Sequence, residues 1–310
     1  MRHYRLVDIA TQAYVVIVGL LVLAAHGERL PGWPWVVGGH LLLLMVVHAL
    51  VGFEGAGRGG AALRVLRQFY PILLFTVFYR EAAELNRLIS PDYLDPHLIR
   101  LEARLFGGQP SLEWMERFPY RPVAEILYAS YFSYYLMIAG LGITLWVRDR
   151  RQFDHYVTVI SLVFYACYLV YIVFPVIGPP LFFEDWRALG IPAEVIPAGI
   201  SEAPEAVRSA LFFRLMRWIY EVFEAPGAAF PSSHVAVAVV TLYFSVKYLP
   251  RIALVHGVDV VLLCVATVYG RYHYLLDVIA GLLTAAVLLP LANLAWRRTG
   301  GGGGRAWTSG

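Results

Sequence analysis

Apolar residues in this chain run in long blocks, without the two-residue alternation of a half-buried strand or the single stripe of a surface helix. Eight blocks, at about 12–26, 35–53, 66–80, 123–147, 155–177, 231–248, 252–270 and 273–296, approach the roughly 20 residues a helix needs to cross hydrocarbon. They predict an all-α fold, a polytopic transmembrane helix bundle of about eight spans. The block at 66–80 is the weakest. Its uncharged stretch between Arg67 and Arg80 is short and holds Pro71, so it spans only if both arginines snorkel to the interfaces. The first block follows Arg2 and Arg5. With seven further spans behind it, it reads as a retained span in preference to a cleaved signal.

Composition narrows the class further. Hydrophobic residues make up 59% of the chain and charged residues 15%, which excludes an ordinary soluble enzyme, a disordered chain and a coiled coil. The net charge of +3 says little until it is divided by side. Arg2, Arg5, Arg58, Arg64, Arg67, Arg148, Arg150, Arg151, Lys247, Arg251, Arg297, Arg298 and Arg305 all fall in segments on one side of an eight-span chain. The positive-inside rule then puts both termini in the cytoplasm.

Two long segments, 81–122 and 178–230, face the other way and are expected to carry interfacial helices. Arg208 to Phe223, where Leu211, Phe212, Leu215, Trp218 and Ile219 alternate with Arg214 and Arg217, reads as one of them. Gly300 to Gly304 open a flexible cytoplasmic tail without a lipidation signal. The expected organisation is N-terminal spans at 1–90, a catalytic domain at 91–297 and a tail at 298–310. Cys167 and Cys264 lie inside apolar blocks, against a disulfide framework or a cysteine metal site. Nothing in the charge pattern points to a nucleic-acid partner.

Ionisable residues inside spans are costly, so each is a functional candidate. Phe230-Pro231-Ser232-Ser233-His234 opens the sixth block, and Tyr269 to Asp277 joins the seventh and eighth. Topology read from arginines alone puts His234 and His273 on the same side at the same depth. His273 and Asp277 are four apart and share a helix face. Asp277 can take the Nδ1 proton and leave Nε2 as a nucleophile; a self-satisfied structural pair is the competing reading. Pro231 suits a first helical turn, and Ser232 and Ser233 beside the free amides would form an anion site; the plain alternative is a serine-capped helix start. His234 can protonate a leaving oxygen and Arg271 can neutralise a phosphate. Together these describe phosphoryl transfer through a phosphohistidine, with no metal and no cofactor, because clustered carboxylates for Mg²⁺ are lacking nearby. His256 and Asp259 are set aside as a structural pair, about 20 Å from His273 along the helix.

Gly227 to His234 and Val268 to Gly281 resemble the second and third signatures of the phosphatidic acid phosphatase type 2 superfamily. Pro175-Val176-Ile177-Gly178-Pro179-Pro180, and Leu105-Phe106-Gly107-Gly108 before a tyrosine-rich span, resemble its inositol phosphorylceramide synthase (inositolphosphotransferase) branch. The likeness covers roughly residues 90–285. It implies a six-helix core with His273 as nucleophile, oriented by Asp277, and His234 as general acid and base. The sequence departs from the phosphatase branch in three places. The first signature, Lys then Arg-Pro seven positions on, is absent; Ser233 stands where the middle signature has glycine; and Thr267 stands where the third has arginine. Arg271, one turn beyond Thr267, and Arg187, Arg214 and Arg217 are candidates to supply the missing positive charge. The implied substrate is a membrane lipid and the implied second partner a small alcohol acceptor, with water as the alternative acceptor. A lipid transporter is the rival class, but no inverted repeat or pair of interrupted spans supports it.

Overall fold

The computed structural model describes residues 3–28, 30–56, 60–179, 202–223 and 227–301. Among them the eight apolar blocks become helices α1 (Leu6–Ala25), α2 (Trp33–Gly55), α3 (Ala61–Leu85), α6 (Arg121–Arg148), α7 (Arg150–Val173), α10 (Ser233–Tyr248), α11 (Pro250–Tyr269) and α12 (Leu275–Trp296). Four shorter helices fill the long connections: α4 (Asp95–Phe106), α5 (Pro110–Arg117), α8 (Glu205–Arg208) and α9 (Leu211–Phe223). The described residues contain no strand, only an isolated bridge between Val176 and Ala228. Among the described residues, seven helices are long and apolar enough to cross a membrane, as expected of an integral membrane protein.

Local chemistry sets the helix ends. Pro34, Pro96, Pro110, Pro122 and Pro250 lie in first turns, where a missing amide costs nothing. Gly107 ends α4 in the left-handed region at φ 80°. Asp149 caps α7, accepting from the amides of Arg151 at 2.8 Å and Gln152 at 3.3 Å, so one residue turns the chain between α6 and α7. Leu249 does the same between α10 and α11.

The most buried span, α7, packs against α1, α3, α6, α10 and α12, and α10 packs in turn against α6, α11 and α12. Tyr14 of α1 meets Phe78 of α3 at 4.6 Å and Tyr165 of α7 at 5.1 Å, which fastens the N-terminal spans to the centre. At the end opposite Arg148–Arg151, α4 lies on the start of α12, α5 on α11, and α9 on α6.

Four expectations change. First, α3 is a full 25-residue span, but Arg67 does not snorkel, whereas Arg80 is exposed. The Arg67 side chain is 1% exposed and pairs with Asp8 of α1, and at 3.3 Å with Glu54 of α2. Tyr70 donates to the same Asp8 at 2.7 Å, and Arg80 donates to the Val222 carbonyl at 3.0 Å. A buried arginine is tolerable only when paired, and its partners lie on other spans, outside any local pattern. Second, α10 has 16 residues, about 24 Å at helical rise, shorter than its neighbours. Third, the expected Arg208–Phe223 helix is interrupted at Ser209-Ala210, and its long part begins at Leu211. Fourth, Pro231 precedes the capping residue Ser232 instead of entering the first turn of α10. The expectations for Arg187 and for the tail beyond Gly301 fall outside the described residues.

Candidate active site

The two histidines expected at one depth meet. The rings of His234, in the first turn of α10, and His273, just before α12, lie 5.7 Å apart between centroids. Two backbone devices bring them together. The amide of Ser232 donates to the carbonyl of Asp277 at 3.0 Å, docking the start of α10 on the first turn of α12. Gly281, one turn further on, permits that approach, because a Cβ there would stand 2.5 Å from the Ser232 carbonyl oxygen.

His273 is placed by a tight reversal. The amides of Tyr272 and His273 both donate to the Thr267 carbonyl, at 2.9 and 3.0 Å, and just before them Arg271 adopts φ 62°. A left-handed backbone at a non-glycine residue costs of order 1 kcal/mol or more and marks an over-determined site. The His273 ring is buried, with Nδ1 3.3 Å from Asp277 Oδ2. Nδ1–H donated to that carboxylate leaves the Nε2 lone pair for nucleophilic attack. The same Oδ2 accepts from the Tyr274 amide at 2.9 Å, so Asp277 also caps its own helix.

His234 is held mainly by rings. Tyr131 of α6 stacks on it at 5.2 Å and brings its hydroxyl to 3.4 Å from Nε2, and Tyr134 lies at 4.7 Å. Nδ1 of His234 is buried without a partner among the described residues. Tyr131 continues the stack to Tyr272 at 4.3 Å, and Tyr272 meets Tyr220 of α9 at 4.8 Å. The cluster is closed in this conformation, with Ser232, Ser233 and His273 all buried.

The expected anion site at the head of α10 is partly occupied by the protein itself. Ser232 Oγ accepts from the Val235 amide at 3.3 Å, and the Ser233 amide donates to Tyr171 Oη at 3.3 Å. Tyr171 in turn donates to the Pro231 carbonyl at 3.0 Å. Buried first-turn amides need partners, so the helix dipole remains, but two of the amides are taken and the Ser233 side chain also bonds Tyr171.

The basic candidates separate. Arg271, two residues before His273, is buried, with Nη2 3.6 Å from Glu116 Oε1 of α5. It lies past the end of α11, so its position does not follow from one helical turn after Thr267. Arg217 is on the exposed side of α9, paired with Glu221 at 3.2 Å, and is not brought to the cluster. Arg214 turns to the Arg208 carbonyl. His256 and Asp259 are not bonded to each other: His256 Nδ1 meets Ser245 Oγ at 2.6 Å, and Asp259 accepts from Ser130 and Ser133.

Sequence reasoning missed Asp95 and Glu102. Both are fully buried on α4. Burial pushes the Asp95 carboxyl up to about 6 against four hydrogen bonds that lower it. Burial, with the nearby Asp277 charge adding to it, pushes Glu102 up to about 7. The one available clue was their spacing of seven, which puts two carboxylates on one helix face.

Comparison with known proteins adds one finding. A family model described as PAP2 superfamily matches residues 96–291, from α4 to near the end of α12. No curated protein and no solved structure matches the chain.

Proposed function

From the chain's membership of the PAP2 superfamily, a family generally of membrane phosphatases and phosphotransferases, we propose a lipid phosphotransferase acting through a phosphohistidine at the outer membrane face. The observation that carries this reading is the pair of rings 5.7 Å apart with Asp277 on Nδ1 of one of them. Nε2 of His273 attacks phosphorus, the bond from phosphorus to the leaving oxygen breaks, and His234 supplies the proton that oxygen takes up. In the second half His234 accepts the proton of the incoming hydroxyl, whose oxygen displaces the imidazole. Arg271, Ser233 and the positive end of α10 offset the phosphoryl charge.

Transfer to an alcohol, as in the inositolphosphotransferase-like branch, is favoured over hydrolysis. The first phosphatase signature is missing, and Val176, Ile177 and Gly178 of the branch-like proline-glycine segment are bonded into the site's surroundings. Purified protein incubated with labelled phospholipids, with and without inositol, sugars or lipid alcohols, tests it. Alcohol-dependent labelled product is expected, and product formed only by water would replace transfer with hydrolysis. His273→Ala should abolish turnover while lipid binding persists, and retained turnover would remove the nucleophile assignment. His234→Ala should slow poor leaving groups most, and equal losses for good and poor ones would remove its acid role. Activity should survive EDTA, and a loss restored by Mg²⁺ would exclude this mechanism.

A further inference from the structure

Helix α4 belongs to neither histidine segment, yet it grips both. Asp95 and Glu102, seven residues apart, project from one face and are fully buried. Asp95 accepts from the amides of Ile177 and Gly178, each at 2.9 Å, and from the hydroxyl of Tyr274 at 3.0 Å. The segment it holds at Ile177 and Gly178 is continuous with Val176, whose carbonyl accepts from the Ala229 amide at 3.0 Å. Ala229 leads directly into Ser232 and His234.

Glu102 Oε1 accepts from the Leu276 amide at 2.9 Å. Leu276 sits in the first turn of α12, between Tyr274 and Asp277. Its amide is one of the four that an α-helix leaves without an internal acceptor. Here a carboxylate from a distant helix satisfies it, while Asp277 is turned back onto Tyr274 and His273.

We propose that Glu102, assisted by Asp95, is a positioning residue: it fixes the first turn of α12 so that the His273–Asp277 pair points at the phosphorus. The proposal rests on the reading of His273 as nucleophile. A simple structural staple would stabilise the fold without affecting the reacting geometry in particular. A positioning residue must affect the transition state more than the ground state.

Orthovanadate and inorganic phosphate separate the two roles. Vanadate takes the five-coordinate shape of the transferring phosphoryl group around a nucleophilic imidazole, whereas phosphate binds as an ordinary anion. Affinities of the full-length detergent-solubilised protein for each are measured for wild type, His273→Ala, and Glu102→Gln, Glu102→Asp and Glu102→Leu. Gln keeps an acceptor oxygen at the same reach, Asp retracts it by one methylene, and Leu removes it.

Vanadate affinity should stay within about threefold of wild type in Glu102→Gln and fall by roughly 10- to 100-fold in the Asp and Leu variants, the scale of an ångström-sized misplacement. Phosphate affinity should be unchanged in all three. Unchanged vanadate affinity in the Asp and Leu variants overturns the proposal, and so does a parallel loss of both anions. If Glu102→Leu does not fold, the Asp and Gln variants decide alone. Vanadate binding that survives His273→Ala, or is absent from wild type, would instead overturn the nucleophile reading.

Discussion

Arg271 combines two properties that usually exclude each other, a long charged side chain and a left-handed backbone. Its replacement can therefore be split. Arg271→Ala removes the charge and keeps the backbone penalty, whereas Arg271→Gly removes both. The glycine variant should be the more stable of the two by about 1 kcal/mol in thermal unfolding, with turnover impaired equally in both. Turnover recovered by glycine alone would show that the residue is needed for its backbone and not for its charge. Glu102 gives a pH-dependent outcome. Its carboxyl lies at about 7 in the folded protein against an ordinary 4.5, so the folded state holds the proton more tightly than the unfolded one. The group is neutral to stability below about pH 4.5 and costs stability increasingly as pH rises to about 7, on the order of 1–3 kcal/mol. Glu102→Gln should accordingly melt at or above wild type at pH 8 and lose that advantage at pH 5. A constant difference across that range would contradict the assignment. At this scale legibility depended on sequence distance. His234, His273 and Asp277 declared themselves through short motifs. Glu102 finds its partner 174 residues away and Arg67 finds Asp8 at 59, and no local spacing encodes either meeting.

Between elements, the contact that matters most is α12 against the head of α10. Gly281 stands where the two backbones come closest, and a methyl group would press on the Ser232 carbonyl, an atom that cannot swing aside. Gly281→Ala should cost about 1–3 kcal/mol of stability and remove most turnover by parting the two histidines. Gly140→Ala, inside α6 where nothing lies within 4 Å of the added carbon, should leave turnover unaffected and raise stability by at most about 1 kcal/mol. Equal behaviour of the two variants would show that the close approach is not needed. Element existence was legible throughout, because block hydrophobicity is a strong and local property, and all eight blocks became helices. Their ends were less so. The head of α10 looked like an open row of amides, yet Tyr171, remote in sequence, takes one of them. The break at Ser209-Ala210 likewise carried no glycine or proline to announce it.

For the whole molecule, the arginine distribution and the histidine chemistry are independent features, and their agreement on one orientation can be tested. On a background with Cys167→Ala and Cys264→Ala, a cysteine replacing the exposed Glu205 should react with an impermeant thiol reagent in intact cells or protoplasts. One replacing the exposed Arg148 should react only after lysis. The reverse pattern would turn the site towards the cytoplasm without disturbing its internal geometry. That orientation gives the short α10 a meaning of its own. The helix leaves the Leu249 turn together with α11 but has 16 residues to the other's 20, so its head stops roughly 6 Å lower. His234 and the ring facing it thus lie deeper within the bundle than the end of α11. On the proposed reading, the protein measures depth before it reads chemistry. A phosphate tethered to acyl chains arrives with most of its desolvation already met by the membrane, whereas a free phosphomonoester would have to leave water to descend. Discrimination between lipid and soluble phosphate would then be set by four missing residues in one helix, with no contact to the substrate's tail required.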